Sequence, residues 1–536
     1  MKTITSNQVR QLKTLVRQFD PELDQKKQSR LSLMASDKLP TATTLKNYVD
    51  VLLFICAFPP NKKLLAMAEQ ELSRITIHLK KLPVTRQKDY INSGLPFVTS
   101  TPCYSMYFVE WLLHHPDCKV SLKNFDNATF DLSTVLKLTL PSVERSETTA
   151  GLGNEDLLDE LQVKKDKRLW FILNEINTLD THSHIKEHLY DGLGIYIDVV
   201  PRNKYFSEAY NRIPVKQVFF QQSRISRFNV KELFAKEIAP PVQLTPEQKM
   251  HYIRVIKNSM ALTDREIDPN TYLDESSFRY YELEHGLSIA IYGMYPQRQL
   301  PLESFVGYTL FKNGFPAIYA GGWVFGKRSD FGTHIFKAFR GAESGYMFCQ
   351  LLRFYIQVFQ LTYFIIEPYQ YGLDNPEGIE SGAFWLYYRY GFRPLDKKLA
   401  GIAKKEYVKI LKNKNYRTPK KILEKFTESN IALQLDKKIP TGVFDITTKI
   451  MQMIRRQYKG DRYKAEQDCI SQFLNKAGLK NTFTADEQQV LQEVALWAEA
   501  LKITDKQKIK LLGQMVQAKP VDLYRYQLLL LEFFEQ

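Results

Sequence analysis

The chain has 536 residues, 44% apolar and 25% charged, the balance of a water-exposed globular protein with room for roughly two to four domains. Its longest apolar runs, Val51–Pro59 and Leu528–Phe534, fall far short of the ~20 residues of a membrane span, which excludes a membrane-spanning class. The net charge of +15 points to anionic partners, and its placement matters more than its size. MKTITSNQVRQLKTLV has no apolar signal core, so the chain is expected in the cytoplasm. Cys56, Cys103, Cys118, Cys349 and Cys469 are scattered without a C-x-x-C pair, which argues for reduced thiols and against a disulfide framework or zinc knuckle.

The first 90 residues read as helices, with apolar spacings of three and four over Val9–Phe19, Thr44–Phe58 and Lys62–Leu82. Leu132–Leu140 reads as strand or extended loop. Glu144–Glu155, polar and holding Gly151 and Gly153, reads as a mobile loop. Helix is expected again over Leu157–Ile185. His182, His184, His188 and Asp191 follow; His184 and His188 share a face at i,i+4. No third ligand stands at a fixed spacing, so a solvated helix end is preferred to a metal site. Gly194–Val200 and Val215–Gln221 read as strands. Pro240-Pro241 marks a linker, after which Thr245 and Pro246 open a helix to about Met260.

Strands are then expected at Leu287–Met294, Ser304–Phe311 and Ala317–Phe325, the last two joined by an Asn313-Gly314 hairpin. A turn, Arg340-Gly341-Ala342-Glu343-Ser344-Gly345, opens an apolar helix of about four turns. A strand, Leu361–Ile366, precedes a second turn, Glu377 to Gly382, and an aromatic helix stopping at Gly391.

This order resembles the core of the GNAT acyltransferase superfamily, in which a turn R/Q-x-x-G-x-G/A opens one helix and a second helix ends in A-x-x-L-Y-x-x-x-G-F. The first motif is carried by Arg340, Gly341 and Gly345, with Glu343 where the family has its first motif glycine. The second is complete in Ala383, Leu386, Tyr387, Gly391 and Phe392, with Glu380 where the family usually has Asn. The likeness spans about 250–395. It implies an α/β central domain with a mixed sheet (α+β, GNAT-like), acetyl-CoA or another acyl-CoA as cofactor, and a small-molecule or protein amine as acceptor. Arg340, Gly341, Ser344 and Gly345 would hold the pyrophosphate at the positive end of the helix. Tyr387 would be the acid. Glu343 and Glu380 would face one another, one of them a base. The rival expectation is an inactive GNAT-like domain in a scaffold protein, with both glutamates capping their own helix ends. No P-loop, G-x-S-x-G, G-x-G-x-x-G or kinase set is present.

Beyond Pro394 the family normally closes with a further strand or two, whereas Lys397–Leu411 and Pro419–Phe426 read as basic helices. From Arg393 to Glu428 there are 12 Lys/Arg and 4 Asp/Glu, more than half of the net charge. An acidic carrier protein is one partner this stretch would suit; its aromatics are too sparse for a nucleic-acid stacking platform. Residues 441–536 read as four or five amphipathic helices. The expected organisation is a mainly helical region with some strands over 1–240, the GNAT-like domain with its basic extension over 245–430, and a helical accessory domain over 441–536.

Overall fold

The chain folds into two units. One comprises Met1–Ser223, Pro246–Thr271 and Lys312–Pro316; the other comprises Arg224–Thr245, Tyr272–Phe311 and Ala317–Gln536. The computed structural model describes residues 2–225, 228–341, 343–413 and 415–535. No helix among the described residues is long and apolar enough to cross a membrane.

The first unit begins with helices Ser6–Val16, Asp24–Ser36, Ala42–Ala57 and Lys62–Lys80. Thr5 and Gln8 close a reciprocal capping box at the first. Every residue from Tyr48 to Ala57 is buried, so the longest apolar run is core. Strands β1 (Cys118–Phe125) and β2 (Ile195–Pro201) form an antiparallel pair. Four expectations are corrected here. Leu132–Thr139 is a helix, because Leu132, Val135 and Leu136 place one apolar stripe at helical spacing. Arg145–Thr149 is a 3-10 turn followed by helix Asn154–Glu160, not an irregular loop throughout. Val215–Gln221 forms no strand: its backbone is held by single bonds, Phe219 N–H to the Asn313 side chain (2.9 Å) and Gln221 N–H to the Pro59 carbonyl (2.7 Å). The expected helix over Leu157–Ile185 is broken into Asn154–Glu160, Arg168–Thr178 and Ser183–Gly192.

The second unit is built on a mixed sheet. Its strands are β3 (Leu273–Glu282), β4 (Leu287–Met294), β5 (Ser304–Lys312), β6 (Phe315–Phe325), β7 (Arg328–Phe331), β8 (His334–Ile335), β9 (Tyr363–Ile366), β10 (Arg393–Pro394) and β11 (Ile431–Gln434). The order is β10-β11-β9-β7-β6-β5-β4-β3, with β8 also on β6. Asn313 and Gly314 both take positive φ, 46° and 83°, as a tight hairpin between right-twisted strands requires. β7 and β9 are parallel, and helix Ser344–Phe359 makes the crossover. The expected lack of closing strands is also corrected. β10 and β11 extend the sheet, with helices Lys397–Lys412 and Lys420–Phe426 between them.

Both faces of this sheet are covered, which is why β4 and β9 are buried at every residue. Phe331 meets Tyr355 of the crossover helix, ring centroids 5.0 Å apart. Phe325 meets Trp497, 5.8 Å apart, inside a core shared by Val443–Tyr458, Arg462–Ala477, Ala485–Ala500, Lys506–Ala518 and Leu523–Glu535. The expected 1–240 boundary falls inside Arg224–Thr245, which groups with the sheet, whereas Pro246–Thr271 groups with the first unit.

Candidate active site

Helix Ser344–Phe359 is the element on which the site depends. Residues 346–355 are all buried, and Gln360 ends the helix in the left-handed conformation. Its first turn is closed by its own residues. Gly341 takes φ 93°, which favours glycine, and donates its N–H to Ser344 Oγ at 3.1 Å. Ser344 Oγ in turn donates to the Gly341 carbonyl at 2.7 Å. Glu343, at the N-cap position, makes no capping bond from its side chain. Its carboxylate is 2% exposed and accepts the Ile225 N–H at 2.9 Å. The expectation that this glutamate caps its own helix is therefore corrected.

Arg340 donates Nε to the Ile335 carbonyl at 3.0 Å and pairs with both oxygens of Glu377. A Cβ on Gly345 would lie 2.0 Å from the Tyr390 hydroxyl, so the glycine makes room for that ring. Each residue expected to hold a pyrophosphate thus has a structural partner. The guanidinium charge is met by Glu377, and the Glu343 carboxylate lies where the helix dipole favours an anion.

The second turn does not open the aromatic helix. Pro376–Ser381 is a separate short helix, capped by Asn375 and ended by Gly382 at φ 64°; Phe384–Arg389 follows. Glu380 therefore stands exposed in a last turn, not at a helix start. The carboxylate of this stretch that reaches the first motif is Glu377. Further contacts join the motifs: Tyr390 over Gly345, and Phe348 edge-to-face with Tyr387 at 5.4 Å.

Tyr387 is buried at 2% exposure. Its hydroxyl donates to Gln370 Oε1 at 3.5 Å, and the same oxygen accepts the Thr333 N–H at 3.1 Å. Burial, with Tyr371 nearby, pushes the phenol pKa well above its ordinary value, so Tyr387 keeps its proton at neutral pH. These groups lie where the sheet divides. The β7–β9 pairing stops at Asp330 and Ile365; beyond it Ile366 pairs with Ile431, while the other chain runs through Gly332 and Thr333 to β8 on β6. Ser329, wholly buried on β7, has no hydrogen-bond partner for its hydroxyl among the described residues.

Helix Val230–Ala235 and the residues just after it form a strap along the crossover helix. Arg353 donates to the Lys236 and Glu237 carbonyls at 2.7 and 2.6 Å, and Gln357 donates to the Phe234 carbonyl at 2.6 Å. The Phe228 ring meets Tyr346 and Tyr390, at 5.3 and 6.1 Å. Sequence reasoning missed Ile225, Gln370 and Glu377. Glu377 had a local signal, an acidic residue just after Asn-Pro at a helix start; Ile225 and Gln370, distant in sequence from their partners, had none.

Elsewhere, the His182 ring accepts the His184 N–H at 3.3 Å, and His184 lies 3.5 Å from Glu187. No group of three or more His, Cys, Asp or Glu among the described residues could hold a metal ion. All five cysteines are free; Cys349 is buried in the crossover helix and only Cys103 is exposed. No protein-family model, curated protein or solved structure matches this chain.

Proposed function

We propose that the second unit is a GNAT-like acyltransferase domain that moves an acyl group from a CoA or carrier-protein thioester to an amine. The observation that carries this reading is the divided end of β7 and β9, where Gln370 joins the Tyr387 hydroxyl to the Thr333 amide. In open α/β sheets, ligands enter at the carboxyl ends of parallel strands where the strand order changes direction. The element order supports the resemblance: antiparallel strands, turn, crossover helix, parallel strand, aromatic helix, and two closing strands.

In the reaction, the amine nitrogen bonds to the carbonyl carbon and the carbon–sulfur bond breaks. The departing thiolate takes the Tyr387 proton, and the phenolate regains one from the ammonium formed on the attacking nitrogen. The phenol is protonated before attack, as an ordinary phenol is at neutral pH, and burial makes it hold that proton more tightly, so the proton moves only as negative charge develops on the departing sulfur. Thiol release from acyl-CoAs and acyl-carrier thioesters, with a panel of amines, tests the reading. Tyr387→Phe should lower the rate by about 100-fold; an unchanged rate removes Tyr387 from the chemistry.

A second reading, an inactive domain in a scaffold protein, is favoured by Glu343 and the Arg340–Glu377 pair, which fill the place of a pyrophosphate. Calorimetric titration with acetyl-CoA and longer acyl-CoAs bears on it. Absence of binding to the native chain, with binding gained in Glu343→Gly, together with no turnover of any thioester, would establish the scaffold reading.

A further inference from the structure

A CoA donor presents its pyrophosphate to the helix start, and in this chain that position carries the Glu343 carboxylate and an arginine already paired with Glu377. A pantetheine arm linked to a carrier protein lacks the adenosine pyrophosphate and makes no such demand. It needs instead a surface on which an acidic carrier can rest. Helix Lys397–Lys412 supplies one. Lys397, Lys398, Lys404, Lys405, Lys409 and Lys412 are all exposed. The only carboxylate within this helix, Glu406, is 3% exposed and lies inward, where it binds Lys409 at 2.5 Å and the Tyr416 hydroxyl at 2.6 Å. Apart from Lys409, which pairs with Glu406, the lysines share their outward face with no acid of their own helix. Lys397 and Lys398 stand in its first turn, where the dipole disfavours cations. Folding alone gives no reason to keep them there.

The face is one helix away from the reacting tyrosine. Tyr407, on the inner side of the basic helix, stacks on Trp385 (5.8 Å, 21° between planes) and meets Tyr388 at 5.0 Å. Those two residues flank Tyr387 on helix Phe384–Arg389. Val408 and Leu411, 42% and 66% exposed, stand among the lysines and offer apolar contact. Among the described residues the helix itself carries no arginine and its one aromatic faces inward; Tyr416 lies beside Lys409 with its hydroxyl held by Glu406, too few rings for a row of stacked bases, so a protein surface fits better than nucleic acid.

We propose that the acyl donor is delivered by an acidic acyl carrier protein docked on the Lys397–Lys412 helix. This rests on the acyl-transfer reading above. Opposite charges steer such an encounter, and the attraction weakens as salt shortens its range.

Fluorescence anisotropy of labelled octanoyl-acyl carrier protein against the full chain tests it, with octanoyl-CoA titrated in parallel. At ~50 mM salt the carrier should bind, and Lys404→Glu with Lys405→Glu should raise its Kd by about 10-fold or more. The same variant should leave Tm and any octanoyl-CoA binding unchanged. No carrier binding, or equal binding by the charge-reversed variant, would overturn the proposal. So would charge-dependent binding of a DNA duplex or of phosphatidylserine vesicles with none to the carrier. Octanoyl transfer from CoA without carrier binding would overturn the docking and leave acyl transfer standing. No transfer from either donor would remove both.

Discussion

Glu343 is acidic where a phosphate-binding turn calls for glycine, and its environment gives the reason. Its buried carboxylate takes the Ile225 N–H and so fastens the segment before the strap to the start of the crossover helix. Glu343→Ala leaves that amide without its acceptor and should cost ~1–3 kcal/mol in urea unfolding; an unchanged midpoint would mean that segment does not need it. Gly345→Ala pushes a Cβ against the Tyr390 hydroxyl and should cost ~1–3 kcal/mol as overpacking. In a Tyr390→Ala background most of that cost should vanish, and additivity in the cycle would refute the contact. Glu284 sets a pH dependence. Burial opposes its charge, yet bonds from Arg353 and Lys236 outweigh burial and hold its pKa at about 2, below the ordinary 4.5. A depressed carboxylate stabilises the fold above about pH 4.5, and that contribution is lost as pH falls toward 2. Glu284→Gln should flatten the acid limb of the stability curve in that window.

At the scale of elements, patterns of local origin were readable and those of distant origin were not. The five C-terminal helices follow their apolar spacing to within a few residues at each end, and Thr484 forms a capping box with Glu487. β11 escaped notice because Ile431–Gln434 is four residues long and is a strand only by pairing with β9 and β10. Val215–Gln221 has strand composition but pairs with no strand among the described residues, so its propensity stays unused. Helix Lys506–Ala518 ends beside Lys519, whose ammonium donates to Ser304 Oγ at 3.1 Å and lies 5.2 Å from the Tyr526 ring centroid. Burial pushes the Lys519 pKa down to about 7, against the pull of Glu303. Between pH 7 and the ordinary 10.5 the unfolded chain holds a proton there that the folded chain does not, so stability should rise with pH across this window. Lys519→Met should remove that rise.

At the scale of the whole molecule, the chain passes repeatedly between two units, and neither is a single stretch of sequence. The Pro-rich segment near Pro240 looks like a linker in composition, but the Glu237 carbonyl before it accepts from Arg353 of the crossover helix and the Val242 N–H after it donates to the Tyr280 carbonyl of β3 at 2.8 Å. A fragment 246–536 loses both carbonyls that hold the buried Arg353, and with them the Ile225 amide. Glu284 still pairs with the guanidinium in that fragment, so the loss is of hydrogen bonds only, and the fragment should be less stable than fragment 224–536 by ~1–3 kcal/mol. Equal unfolding midpoints would show that the strap is dispensable.

The sequence by itself determined the helical ends of the chain, the Asn-Gly hairpin, the order of elements around the crossover helix, and the basic character of 393–428. These depend on side-chain period, turn chemistry and charge, all of which act within a few residues. Tertiary structure alone decided which groups surround the candidate site. Glu377 instead of Glu380 meets Arg340, Gln370 holds Tyr387, and Ile225 binds Glu343. Gln370 and Tyr387 are 17 residues apart, Arg340 and Glu377 are 37 apart, and Ile225 and Glu343 are 118 apart. A charge or hydrogen-bond donor in the sequence specifies what kind of partner it needs. Which partner it finds is chosen by the packing that brings distant segments within about 3 Å.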